Sequence, residues 1–219
     1  MSGATAPPPD EVGRRRVIVL RHGETEHNAK GMWQGQLDTT LSQLGHAQAR
    51  AAAEALVALR PTRVVASDLQ RAARTGEDVA AACGIPLTLD ERFREIHVGE
   101  WAGLTAREVS ERYPEDQDRL ISGVDFARGG HGESVADVAQ RVRSALDDLL
   151  AGAGPNECIV IATHGVTGRA VVAELTGLDQ QLAWTVLAGL GNCHWAELKE
   201  TPPGGWRLQT WNSSARVVS

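Results

Sequence analysis

Two short stretches put reactive side chains directly after apolar runs. "VIVLRHGETEHN" (17–28) delivers Arg21 and His22 at the end of a β-branched segment, and "IVIATHG" (159–165) delivers His164 in the same way. Arg71, in "VVASDLQRAARTGE", lies just beyond a third such run. A guanidinium is a fixed fork of N–H donors matched to phosphate or carboxylate, and a neutral imidazole is a nucleophile or a base. In open α/β sheets ligands bind outside the carboxyl ends of the strands. Two arginines and two histidines gathered on one such edge therefore point to a bound phosphate or carboxylate. A lone His-Gly after a strand is an ordinary turn; the coincidence of several strand ends carries the inference. His131-Gly132 has no strand before it and reads as loop.

Other chemistries lack their signatures. "HGE" at His22–Glu24 and at His131–Glu133 has the H-x-E of zinc deaminases without the P-C-x-x-C partner. There is no H-E-x-x-H, Walker A loop, G-x-S-x-G elbow or strand-placed G-x-G-x-x-G. Neither a metal nor an organic cofactor is implied. Net charge is −6 over 219 residues, against nucleic acid as the partner. No segment approaches the ~20 apolar residues that span a bilayer. Cys83, Cys158 and Cys193 are isolated and odd in number, which suits a reducing cytoplasm. Residues 1–15 read as a disordered leader and 16–219 as one domain.

The elements that must position these groups follow from periodicity. "RRVIVL" and "TRVVASD" read as strands, and "IPLTLDERF" as a third, short one. "LSQLGHAQARAAAEALVAL" is an Ala-rich helix with Ser42 as N-cap, and Gly84 stops the helix that carries Arg71. A short helix ends at Pro114, and a polar, glycine-bearing stretch follows to Gly132. "ESVADVAQRVRSALDDLLAG" is amphipathic, and the C-terminal segment, with Gly204-Gly205, reads as an edge hairpin. Strands alternating with helices predict a three-layer α/β/α fold, its sheet mostly parallel and its helices on both faces. The polar loop after His22 is too long for a simple connector, which marks it as functional.

The ordered set "LRHGETEHN", "WQGQLDTTLSQLG", "SDLQRAARTGE", "FREIHVGEWAGLT", "HGES" and "VIATHGVTGR" resembles the motifs of the histidine phosphatase superfamily, the phosphoglycerate mutase-like group. The likeness runs from about Arg16 to the helix after His164. It implies that His22 attacks phosphorus, that Arg21, Arg71 and His164 hold the phosphoryl oxygens, and that Glu95 protonates the leaving oxygen. It implies further phosphate contacts at Asn28 and Gln34, with Gly35 and Gly165 beside them. Glu24, Glu26 and Glu100 are read as loop charges.

The short stretch from Ile96 to Gly132 and the loop "MWQGQLDTTLSQLG" resemble the family's phosphatases more than its mutases, which carry a long insertion there. A non-catalytic binding member would lack one of the reactive groups, and all are present. That loop and the ending "WRLQTWNSSARV" are similar to family members acting on a phosphorylated glycosyl-glycerate; a broad-specificity phosphomonoesterase is the alternative. Arg94, Arg128 or His131 is a candidate for the substrate carboxylate, and Trp33 and Trp101 for the pocket mouth. Trp184, Trp195 and Trp206 are assigned to packing. The resemblance also implies a homodimer, with the hairpin as a candidate edge.

Overall fold

The computed structural model describes residues 13–216. Six strands form one sheet in the order β3-β2-β4-β1-β5-β6: β1 (Arg16–Arg21), β2 (Arg63–Ala66), β3 (Leu87–Leu89), β4 (Cys158–Thr163), β5 (Trp195–Thr201) and β6 (Gly205–Ser213). The four strands from β3 to β1 run parallel, β5 adds antiparallel to β1, and β6 pairs antiparallel with β5. The sheet is thus mostly parallel, and the C-terminal hairpin forms one edge.

Strand alternation divides the core in two. Val17, Val19, Ile159 and Ile161 face one apolar cluster with helices α6 (Val135–Ala151) and α7 (Gly165–Thr176). Ile18, Leu20, Cys158 and Val160 face the other, with α2 (Gln43–Val57) and α3 (Gln70–Cys83). A two-residue period can feed both faces only where both are covered, which is why the strands read as unbroken apolar runs. Ser42 caps α2 by accepting from Gly45 N–H at 3.0 Å, and Gly84 ends α3 at φ +66°.

Two local expectations change. β3 is only three residues long, and Glu91–Phe93 coil into a 3₁₀ turn, because Asp90 accepts from Arg92 N–H and caps it. Pro114 ends α4 (Ala106–Arg112) but also opens α5 (Pro114–Ser122), where its missing N–H costs nothing at the first helical position. The stretch expected to be irregular therefore holds a helix. Two further short helices, α1 (Glu26–Ala29) and α8 (Gln180–Val186), complete the described set.

Of the expected leader, residues 1–12 lie outside the described residues. Its last part is tied down: Gly13 N–H donates to Asn156 at 2.6 Å, and Arg15 pairs with Glu200 at 2.5 Å and reaches the Leu150 carbonyl. No helix among the described residues is long and apolar enough to cross a membrane.

Candidate active site

β1 and β4 are parallel neighbours in the register Arg21↔Thr163, so the residues that follow them, His22 and His164, emerge side by side. His22 N–H donates to the Thr163 carbonyl at 2.9 Å, and the two rings meet edge to face with centroids 5.1 Å apart. The chain leaves β1 through Gly23, where a Cβ would stand 2.4 Å from the Gly45 carbonyl oxygen. Only glycine lets the loop pass this close to α2.

The His22 ring has a defined orientation. Its Nδ1 lies 2.6 Å from the Gly23 carbonyl, an acceptor only, so Nδ1 carries the hydrogen and donates. Nε2 keeps its lone pair, and the ring borders a pocket of about 310 Å³. Burial and the guanidinium groups of Arg71 and Arg21 push the His22 pKa well below the usual imidazole value. The same causes, burial first and then Arg71, lower His164. A neutral, oriented imidazole between two cations is a nucleophile placed beside an anion site.

Arg21, His22, Asn28, Gln34, Gly35, Arg71 and Glu95 all border this pocket. Arg71 is almost fully buried; burial lowers its pKa to about 10, which leaves it cationic at neutral pH. Its Nη atoms donate to the Leu37 and Gly35 carbonyls at 2.7 Å each, and Arg21 Nη1 donates to the Leu190 carbonyl at 2.6 Å. These bonds fix the forks while the Nε of each arginine stays buried and unpartnered. Gly35, at φ +52°, brings its carbonyl to Arg71 where any Cβ would strike Val98 at 2.6 Å.

The two amide side chains are turned with equal definition. Asn28 Oδ1 accepts from Thr25 N–H and from Asn192 Nδ2, at 3.1 and 3.2 Å. Gln34 Oε1 accepts from the hydroxyls of Thr25 and Thr39, at 2.9 and 2.5 Å. With both oxygens engaged elsewhere, the NH₂ donors are the amide ends left for the pocket.

Glu95 is held at the start of α7. Its Oε2 accepts from Gly165 and Val166 N–H at 2.9 and 3.2 Å, and its Oε1 accepts from Thr167 and Ile96 N–H at 3.2 and 3.0 Å. The N–H of Gly165, expected beside phosphate, is therefore engaged by the carboxylate, and neither Gly165 nor His164 borders the pocket. His164 is fully buried behind His22: its Nε2 meets Ser67 Oγ at 2.9 Å, and its Nδ1 has no partner. The Glu133 of "HGES" supports from beneath. It pairs with Arg141 at 2.8 Å, and Arg141 donates to the carbonyls of Arg92, Arg94 and Glu95.

Sequence reasoning missed several supports. Ser67 directly follows β2 in "VVASD", so its place at the same strand edge was readable. Asn192 reaches both the His22 carbonyl and Asn28 from the loop before β5, and no local signal announces it.

Of the expected mouth residues, Trp33 borders the pocket, whereas Trp101 is wholly buried against Trp33, Phe126 and Tyr113. Trp195 is buried as expected; Trp184 and Trp206 are only half-buried. Arg94, Arg128 and His131 do not reach the pocket. Arg94 is clamped by Asp68, Arg128 by Asp125 and the Phe126 carbonyl, and the His131 ring faces that of His97.

Comparison with known proteins gives a consistent picture. The family model described as histidine phosphatase superfamily (branch 1) matches residues 17–214. A glucosyl-3-phosphoglycerate phosphatase of Mycolicibacterium vanbaalenii is 39% identical over 221 residues, 94% of this chain and 97% of that protein. The protein of that name from Mycobacterium tuberculosis is 40% identical, with coverage of 94% and 97%. A solved structure of mycobacterial glucosyl-3-phosphoglycerate phosphatase with VO3 superimposes with a TM-score of 0.84 at 38% identity, covering 91% of this chain and all of that one.

Proposed function

Because the chain belongs to the histidine phosphatase superfamily (branch 1), whose members act through a phosphohistidine intermediate, we propose that this pocket hydrolyses a phosphomonoester on His22, with glucosyl-3-phosphoglycerate as the substrate. The observation that carries the reading is the His22 ring. Its Nδ1 is tied to the Gly23 carbonyl, it stays neutral between two guanidinium groups, and it borders the pocket. The substrate follows the names of the relatives that match nearly the whole chain.

The steps balance without a metal. His22 Nε2 attacks phosphorus, the P–O ester bond breaks, and the leaving alkoxide takes the proton of Glu95, which enters the step as the carboxylic acid and leaves it as the carboxylate. Arg21 and Arg71, with the amides of Asn28 and Gln34, offset the charge that builds on the non-bridging oxygens, and His164 backs the His22 ring from behind. Water then attacks the phosphorus of the phosphohistidine, gives its proton to Glu95, and the P–N bond breaks to release phosphate. The Nε atoms of Arg21 and Arg71, two residues that border the pocket, are donors that lack protein partners.

Residues 16–219 act as one domain in this reading. The three cysteines are free, which supports a reducing cytoplasmic setting. The ligand is a small molecule, with neither nucleic acid nor membrane as partner, and a homodimer follows the family resemblance.

The test is phosphate release from glucosyl-3-phosphoglycerate, 3-phosphoglycerate, phosphoserine and an aryl phosphate, with His22→Ala as control. Preference for the glucosylated ester, lost in the variant, is the expected result. Flat release across the panel would discard the named substrate. Isomerised 3-phosphoglycerate without release would replace hydrolysis by mutase chemistry.

A further inference from the structure

Arg169 is the cation that the catalytic scheme leaves unused. It lies on α7 one turn beyond Val166, which borders the pocket, and helical side chains lean toward the N-terminus, the end of α7 that holds Glu95. Its guanidinium carbon stands 4.5 Å over the Trp184 ring. Its Nε is buried without a hydrogen-bond partner, and among the described residues the side chain has no ion pair. Burial lowers its pKa, and the Glu95 carboxylate is near enough to oppose that shift.

The neighbouring arginines behave otherwise. Arg94 is held by Asp68, Arg128 by Asp125 and the Phe126 carbonyl, and Arg141 by Glu133 and three carbonyls. A half-buried guanidinium without a direct ion pair is costly to keep, and its planar fork, set by the stack on Trp184, is the geometry that receives a carboxylate.

We propose that Arg169, oriented by Trp184, receives the carboxylate of the phosphorylated substrate beside the phosphate site, and so selects phosphoesters that carry a second, carboxylate anion. The inference rests on the phosphoester reading of the pocket. It assigns the role for which Arg94, Arg128 and His131 were the sequence candidates. Arg169 escapes a sequence search because it sits in an ordinary helical run, and only the tertiary packing shows that it lacks a counter-ion.

Two ligands of matched size separate the carboxylate from the phosphate: 3-phosphoglycerate, and glycerol 3-phosphate, which carries a hydroxymethyl in its place. Titration calorimetry on His22→Ala protein measures binding without turnover. The carboxylate-bearing ligand should bind at least about tenfold more tightly, the equivalent of about 1.4 kcal/mol. In the His22→Ala, Arg169→Gln protein the ratio should collapse to within about twofold. An unchanged ratio, or no preference in the parent, overturns the assignment. If the Gln variant does not fold, Arg169→Lys decides on the same ratio. An ammonium does not reproduce the fork, so the ratio should drop several-fold, and an unchanged one refutes the proposal.

Phosphate release by the wild-type enzyme is measured in parallel. A hydrolase whose Arg169→Gln variant keeps the preference removes Arg169 alone. A preference that depends on Arg169, in a protein that releases no phosphate, removes hydrolysis alone.

Discussion

The two His-Gly tips begin from the same local device, an apolar strand, an imidazole and a glycine, and end in different chemistry. At the first tip the His22 Nδ1 is satisfied by the adjacent Gly23 carbonyl, so its other nitrogen is left for the pocket. At the second, the His164 Nε2 is held by Ser67 from a different strand end, and the ring is sealed behind the first. The glycines diverge too: Gly23 allows a close pass against α2, whereas the Gly165 N–H opens α7 and anchors Glu95. The same sequence device yields an attacking group in one place and a supporting ring in the other. The difference lies in which nitrogen the surroundings occupy.

Mutating the two rings separately breaks this comparison most directly. His22→Ala should lower kcat by at least about 10⁴-fold, because no other imidazole, thiol or hydroxyl side chain is among the described residues that border the pocket. It should also abolish the base-stable, acid-labile phosphoenzyme in rapid-quench experiments. His164→Ala should cost about 10²–10³-fold in kcat while a phosphoenzyme still forms on His22, since what is lost is the ring that backs the nucleophile and not the nucleophile itself. Equal losses with no phosphoenzyme in either variant would erase the distinction between the tips.

Ser67→Ala sharpens it. The substitution strips the partner from a buried imidazole nitrogen at a cost of about 1–3 kcal/mol, read as a lower denaturant midpoint. If about 1.4 kcal/mol of ring orientation is lost in the transition state, kcat falls about tenfold. Unchanged kinetics would mean that His164 needs no support from β2.

The smallest effect is on pH dependence. Both rings titrate well below the ordinary imidazole value of 6.5 because burial and nearby guanidinium groups disfavour the cation. The unfolded chain therefore binds these protons at a higher pH than the folded one. The stability contributed is whole above about pH 6.5 and is lost as the pH falls below it toward the folded values. Denaturant midpoints should decline on acidification below about pH 6.5, and His164→Gln should flatten part of that slope. A slope identical to that of the wild type would show that His164 is not titrating.

Much of the fold was legible because its signals are local. Period-two apolar runs gave the central strands, Ser42 and Gly84 bounded their helices, and the glycine pair marked the C-terminal turn. β3 shrank, and α5 hid behind Pro114, because a proline that stops one helix can start the next, and a three-residue strand has almost no pattern to read. Arg21, His22, Arg71 and Glu95 were legible through motif and strand position. The Trp101 assignment failed because a flanking position in sequence says nothing about which way an indole turns; here it turns into the core.

By itself the sequence determined which chemical groups stand at the strand tips and in what order the layers are built, since apolar periodicity and residue type are properties of short segments. Only the tertiary structure decided which imidazole nitrogen is free, which arginines already have anions, and that Gly165 serves Glu95. Several of these outcomes depend on partners far along the chain: Ser67 is 97 residues from His164, Glu95 is 70 from Gly165, and Asn192 is 170 from His22. Hydrogen bonds and ion pairs are satisfied in space, and a linear reading carries no record of which donor each acceptor meets.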